Sequence, residues 1–381
     1  MVNTQPSIGN KIPNIPMTRM FDCIIVGAGP AGGAAAYHLA KRGRSVLILE
    51  RFAFPRLKPC GGGVSPAIAQ WFDFDFSPAI STTVERIRYT WQLDDAVESE
   101  IPTPMWMVRR DIFDQFLVEQ AKGQGAQFQD NTQVTGIEFK SDHWQVNTTT
   151  EPLTAKYLIG ADGAKGSMAK WLGLKQSKLR QSQFMEVATE QPLLPSFEFG
   201  MVKNGSIWGF PKADGYSLSI ATFIGGEPKD LKKDLLDYAT KAGLGSATIY
   251  DHPLCLWDGD KTLHTQNAVI AGEAASLVDP LSAEGIRPAI LSGVKAAEAI
   301  DQALGGVSNA LEGYTQVMKE EWGTDMVWAG RLGGAFYRFP KVAYKAGVKM
   351  PAATKIMSKI FCGQLRYGDI ASKAIKQLMP F

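Results

Sequence analysis

The chain has 381 residues, of which 45% are hydrophobic and 20% charged, and its net charge is +2. That length buries a large core in one or two domains, and the overall charge gives no sign of a nucleic-acid partner. No window offers about 20 uninterrupted apolar residues, and residues 1–20 lack the apolar centre of a secretion signal, so a cytoplasmic protein without a membrane span is expected.

Residues 1–19 read as a loose, polar arm. Asp22-Cys23-Ile24-Ile25-Val26 predicts a short buried strand, being apolar, rich in β-branched residues and ended by glycine. Residues 30–42 predict a helix with an alanine-rich packing face. Residues 45–49 predict the next strand, and Glu50 closes it 23 residues after Gly27. This βαβ unit suits a dinucleotide. Gly27 makes the tight turn, Gly29 admits a pyrophosphate, and Gly32 lets helix and strand pack closely. The helix start at Pro30 and Ala31 offers free N–H groups to phosphate. Glu50 is placed to accept from ribose hydroxyls; a plain glycine turn has no use for that acid.

Residues 84–92 alternate as a half-buried strand. A helix is predicted over 111–123, then strands over 127–130, 132–139 and 143–148. Leu158-Ile159-Gly160 leads into Ala161-Asp162-Gly163. Taken alone, Asp-Gly is a favourable turn; after the βαβ unit, Asp162 and Gly163 read as nucleotide contacts. Residues 183–190, 197–202, 206–210 and 216–224 are alternating and aromatic-rich, as in a mostly antiparallel second layer. Ala268-Val269-Ile270-Ala271 predicts a strand, followed by Gly272-Glu273, a loop through Asp279-Pro280, and a long helix over 286–304. Glu273 can bond ribityl hydroxyls. The start of that helix can face a flavin edge that turns negative on reduction. Three such motifs in this order imply FAD held along its length.

The expected fold is α/β. A Rossmann-type FAD-binding domain (20–70, 108–170, 265–305) is interleaved with an antiparallel β-sheet substrate domain (71–107, 171–264), and a helical C-terminal region (306–381) follows. From Arg338 to Phe381 there are nine Lys or Arg and one acid, Asp369, which gives this end +8 and leaves −6 for residues 1–337. Interleaved with Phe339, Tyr344, Met350, Ile356 and Phe361, such an end can lie on an anionic membrane surface or form an ordinary helical cap. The cysteines at 23, 60, 255 and 362 have no metal-ligand spacing, and the four histidines show none either, so no metal is expected.

The set of motifs resembles the para-hydroxybenzoate hydroxylase-like flavoproteins and, more narrowly, the geranylgeranyl reductase family. Lys58-Pro59-Cys60-Gly61-Gly62-Gly63-Val64-Ser65 is similar to that family's Pro-Cys-Gly-Gly-Gly signature. Trp208-Gly209-Phe210-Pro211-Lys212 resembles its Tyr-x-Trp-x-Phe-Pro-Lys signature. Asp279-Pro280-Leu281-Ser282-Ala283-Glu284-Gly285-Ile286 resembles its Asp-Pro-Leu-Ser-Gly-Glu-Gly-Ile loop. Arg110, in Val108-Arg109-Arg110-Asp111, fits its flavin-contacting arginine. The resemblance covers about residues 20–305. It departs at Glu273, where the family has Asp, and at Ser206, where it has Tyr; the smaller residue should widen the cavity or remove a hydroxyl donor.

The resemblance implies cofactor contacts at Arg51, Cys60, Gly61, Val134, Pro280, Gly285 and Ile286 as well. It implies reduction of isolated C=C bonds in a polyprenyl chain by hydride from reduced flavin, with NADPH or another reductant as electron donor. Cys60 is expected beside the flavin ring, relaying or positioning a proton. Trp208, with Phe210 and Pro211, is expected at the prenyl tunnel, and Lys212 either at a diphosphate head group or in solvent. Two alternatives remain: a class A flavin monooxygenase acting on an aromatic or quinone ring, and a non-catalytic prenyl-lipid carrier that keeps FAD.

Overall fold

The computed structural model describes residues 20–226 and 230–370. The expected arm at 1–19, and Lys373 and Lys376 of the basic end, lie outside the described residues. Two eight-stranded sheets carry the fold.

In the first sheet, strand Phe21–Val26 lies between Val46–Leu49 and Leu153–Gly160, parallel to both. Such a strand is buried on both faces, so it is apolar throughout rather than alternating. Ala268–Ile270 extends the sheet beyond Leu153–Gly160, again in parallel. Register decides where the motifs end. Val26 is opposite both Leu49 and Gly160, and Gly160 is opposite Ile270. The turns at Gly27, Glu50, Ala161 and Ala271 therefore leave the sheet side by side at its carboxyl edge, the place where doubly wound sheets bind ligands.

Helix Pro30–Lys41 packs on helix Ile286–Leu304 through small residues. A Cβ on Gly293 would sit 2.3 Å from the Ala31 carbonyl oxygen, so nothing larger than glycine permits that approach. Helix Arg110–Gly123 flanks the same opening helix, with Leu117 against Gly33.

The second sheet runs Ile249–Asp251, Ser182–Ala188, Gly215–Thr222, Gly205–Lys212, Ser196–Phe199, Thr82–Trp91, Asp94–Met107 and Gly63–Val64. Its pairs are antiparallel except Ser196–Phe199 with Thr82–Trp91. Its last strand comes from the loop that follows the βαβ unit, so Cys60-Gly61-Gly62 bridges the two sheets.

Strand Asp94–Met107 was not expected from sequence, because the turn before it lacks glycine. Gln92 and Leu93 both adopt positive φ, 55° and 63°, in a tight hairpin that normally wants Asn-Gly. Tertiary structure holds it instead. The buried Glu198 carboxylate accepts from the N–H groups of Gln92 and Leu93 and from Thr90 Oγ1, at 2.6, 2.9 and 2.5 Å. The helix Leu231–Lys241 was also missed, although Asp230 caps it by accepting from Lys233 N–H. Beyond residue 306 the chain is helical as far as it is described.

Candidate active site

Two cavities meet at the join between the sheets. The first is lined by Glu50, Arg51, Val134, Asp162 and Gly163, by Gly27, Gly29, Pro30, Ala31 and Arg110, and by Cys60, Glu273, Gly285 and Ile286. The second is lined mainly by apolar groups, among them Val84, Ile87, Met105, Met107, Phe197, Trp208, Phe210 and Phe361. Six residues line both: Cys60, His252, Leu254, Ala283, Gly285 and Ile286.

The turn of the first cavity is fixed by its glycines. Gly27 has φ +107°, and a Cβ there would fall 2.4 Å from the Ala161 carbonyl oxygen. A Cβ on Gly32 would fall 1.9 Å from the Gly27 oxygen, so Gly32 shapes the turn by packing and does not line the cavity. Helix Pro30–Lys41 begins at Gly29 without a side-chain cap, which leaves first-turn N–H groups free. Glu50 is buried; one oxygen accepts from Ala28 N–H at 3.1 Å and the other from Phe52 N–H at 3.2 Å.

Two arginines stand beside this turn. Arg110 grips Asp114 with two bonds of 2.8 Å, and Arg56 reaches the same carboxylate at 2.9 Å. Asp114 is fully enclosed. A Cβ on Gly29 would lie 3.7 and 3.9 Å from the two guanidinium groups. The open turn, the uncapped helix and two fixed cations form a seat for a pyrophosphate.

Asp162 accepts from Met168 N–H at 2.9 Å, while its other oxygen is buried with no partner. Burial raises its pKa. Such an orphaned acceptor is the mark of a site for hydroxyl groups. Glu273 accepts from Cys255 N–H at 3.2 Å through one oxygen. Helix Ile286–Leu304 begins at Gly285, also without a side-chain cap, and its start faces the junction of the cavities. These residues fit FAD. Arg56 and Lys58 would stand with Arg110 on that cofactor's side, and the helix start at the end where charge develops on reduction.

Several expectations are corrected. Pro280 lines neither cavity; it packs against the helix Thr324–Arg338, with its ring beside Gly330 and its carbonyl beside Gly333. Gly61 lines the apolar cavity rather than the polar one, and a Cβ there would meet the Phe210 ring at 2.6 Å. The strand period of two puts Trp208, Phe210 and Lys212 on one face, so Pro211 points away from the cavity. Lys212 is neither solvated nor a head-group ligand. It is buried, donates to the Gly61 carbonyl, and burial pulls its pKa down to about 8. Ser206 does not widen the cavity, because the Tyr337 hydroxyl lies 3.4 Å away and its ring stacks on Phe223.

Three features escaped sequence reasoning. His252 lines both cavities, and Lys58 Nζ lies 3.2 Å from its Nδ1. A lone histidine gives no spacing signal; Lys58 was visible two residues before Cys60. Ala283 has φ +59° at the junction, a conformation that favours the glycine found in the similar family loop. Glu284, half-buried beside it, is held by both donor arms of Arg287 at 3.1 Å.

A cavity lined by all three glycine-bearing motifs and opening onto an apolar chamber is that of an FAD-dependent oxidoreductase. Residues 22–71 match the family described as FAD dependent oxidoreductase, and residues 76–217 that described as FAD binding domain. An uncharacterized protein of Methanosarcina barkeri is 33% identical over 298 residues, which cover 75% of this chain and 76% of that one. Digeranylgeranylglycerophospholipid reductase 1 of Methanothermobacter thermautotrophicus is 26% identical over 346 residues, 82% of this chain and 85% of that one. Among solved structures, a geranylgeranyl bacteriochlorophyll reductase-like protein from Thermoplasma acidophilum superposes with a TM-score of 0.76 at 21% identity, over 95% and 97% of the two chains. The flavin-dependent brominase Bmp2 shares the fold, with a TM-score of 0.73 at 18% identity over 94% and 99%. The chain belongs to the geranylgeranyl reductase family of FAD-dependent flavoproteins. Among the described residues no helix is long and apolar enough to cross a membrane.

Proposed function

We propose that the protein reduces isolated C=C bonds in a polyprenyl chain. The observation that carries this reading is the junction: a chamber walled by Val84, Ile87, Met105, Phe197, Trp208, Phe210 and Phe361 opens beside Cys60 onto the cofactor cavity. An alkene without a carbonyl offers no oxygen for hydrogen bonding, so the site must act by orientation and by excluding water.

Bound FAD, once reduced by NADPH or another donor, supplies the hydride. The chain's own residues do the rest. Trp208 and Phe210 hold the prenyl chain flat against the mouth. Lys212 holds the Gly61 carbonyl and thereby the loop that carries Cys60. Cys60, which lines both chambers, places a thiol proton where the second alkene carbon arrives. The start of helix Ile286–Leu304 favours negative charge at the same place.

The test is anaerobic. The protein is reduced and mixed with geranylgeranyl diphosphate; products two mass units heavier per bond are expected. Reoxidation only by O2, with a gain of oxygen mass, would instead mark a monooxygenase, and no reaction in either case a carrier. Within the same reading, the C-terminal helices dock on an anionic bilayer. Phe339, Val342 and Met350 are 62%, 67% and 53% exposed, with Lys341 and Lys345 among them. Val342→Asp should reduce co-sedimentation with phosphatidylserine vesicles; unchanged binding would refute that docking.

A further inference from the structure

Of the six residues that line both cavities, two carry a transferable proton on a side-chain heteroatom, Cys60 and His252. They come from opposite sides. Cys60 belongs to the loop after the βαβ unit. His252 follows strand Ile249–Asp251 at the edge of the second sheet, where its N–H donates to the Ser182 carbonyl at 2.8 Å.

Lys58 reaches His252 from the cofactor side, with Nζ 3.2 Å from Nδ1. An ammonium group has donors and no acceptor. Nδ1 must therefore accept, and a neutral ring then carries its proton on Nε2. Burial, together with Lys58, Arg110 and Lys165, holds the imidazole pKa well below its ordinary value, so the ring is neutral at pH 7. Lys58 is half-buried. Burial, Arg110 and Arg56 push its pKa down, while Glu273 and Cys60 pull it up.

We propose that His252 is a second proton donor at the junction, with Lys58 as the positioning residue that fixes its tautomer and replaces its proton. The inference rests on the prenyl-reductase reading. As hydride from reduced FAD bonds to one alkene carbon, the π pair takes the Nε2 proton at the other carbon, and the Nε2–H bond breaks. Nδ1 takes a proton from Lys58 Nζ, which is left neutral; the site resets when Nε2 takes a proton from water and Nδ1 returns its proton to Lys58. The alkene gains one hydride and one proton, and FAD is the species oxidised. The pair differs from Cys60 in having its own supply of protons.

The first test needs neither cofactor nor substrate. Long-range proton–nitrogen NMR of the whole protein should show His252 bare at Nδ1, protonated at Nε2, and not titrating at the ordinary imidazole midpoint. Lys58→Met should mix the tautomers, and Lys58→Arg should keep the single tautomer. Wild-type titration with an ordinary midpoint, or a proton on Nδ1, would overturn the assignment. The second test is single turnover of the reduced holoenzyme with geranylgeranyl diphosphate. His252→Phe should slow product formation about 100-fold with FAD content unchanged, and His252→Gln should do the same. Lys58→Met should shift the pH profile of that step, and Lys58→Arg should largely restore it. An unchanged rate in both His252 variants would overturn the donor role. A wild-type protein that makes no saturated product would overturn the substrate reading and with it the donor role, while the NMR result would still decide the Lys58–His252 pairing.

Discussion

The two cavities are built in opposite ways. The cofactor cavity is made of backbone and fixed charge: four turns at a sheet edge, two uncapped helix starts, and Arg56 and Arg110 around Asp114. The apolar chamber is made of side chains projecting from one face of five strands, closed by Phe361 from the helix Pro351–Phe361. The cradle tolerates no substitution at Gly27 or Gly32, because an added Cβ there meets a carbonyl oxygen at 2.4 or 1.9 Å. A side-chain chamber can change shape one residue at a time. The first therefore conserves a cofactor, and the second can alter a substrate.

The comparison breaks most easily at Asp114. Asp114→Ala leaves the enclosed Arg110 without its carboxylate and Arg56 with only Glu50, 3.4 Å away, and loss of one member of such a buried network costs about 3–5 kcal/mol. Urea unfolding should show a loss of that size, and FAD retention should fall with it. Gly27→Val comes next. A Cβ 2.4 Å from a carbonyl oxygen at φ +107° forces the turn open, at about 1–3 kcal/mol for the strained backbone alone. The protein should purify without bound flavin absorbance; a fully yellow preparation would contradict the assignment of this turn.

Lys212 sits at the border between the cavities and links them to pH. Its pKa in the folded chain is about 8, below the ordinary lysine value of about 10.4. Between these values the unfolded chain binds the extra proton, so stability rises with pH there. Below pH 8 the buried charge is carried at a cost, of order 3 kcal/mol for a shift of this size. The stability of the wild type relative to Lys212→Met should therefore increase from pH 8 to 10.5, as read by chemical denaturation; a flat difference would show that Lys212 is not enclosed.

On the apolar side, Phe210→Ala should leave FAD content unchanged and weaken prenyl affinity about tenfold, the scale of one lost aromatic contact. Equal loss of FAD would mean that the two chambers are not independent. The smallest effect is expected at Ala283, where left-handed backbone costs a residue with a Cβ about 1–2 kcal/mol. Ala283→Gly should raise the melting temperature slightly or leave it unchanged, because glycine's larger unfolded-state entropy opposes the relief. A clear fall would show that the methyl group packs against something essential.

Most of the cofactor site was legible before any coordinates. Gly27, Gly29, Gly32, Glu50, Asp162 and Glu273 sit in short motifs where strand, turn and helix follow within a few residues. The other cavity was only half legible. Trp208 and Phe210 stood out as aromatics at alternate positions, but Lys212 gave no sign of being buried, nor Ser206 of facing Tyr337, 131 residues away. Pro280 was misplaced because it belongs to a signature whose glycine end, and not its proline, reaches the cavity. The hairpin at Gln92-Leu93 was hidden because its turn is held by Glu198, over a hundred residues later.

By itself the amino-acid order determined the βαβ unit, the cofactor class and the family, since these depend on contacts between near neighbours in the chain. Tertiary structure alone decided that Cys60, His252 and Lys58 share one corner, that Lys212 turns inward, and that Tyr337 fills the space beside Ser206. Those pairings join segments tens to hundreds of residues apart. Sheet register and the packing of two sheets set them, and no local pattern encodes either.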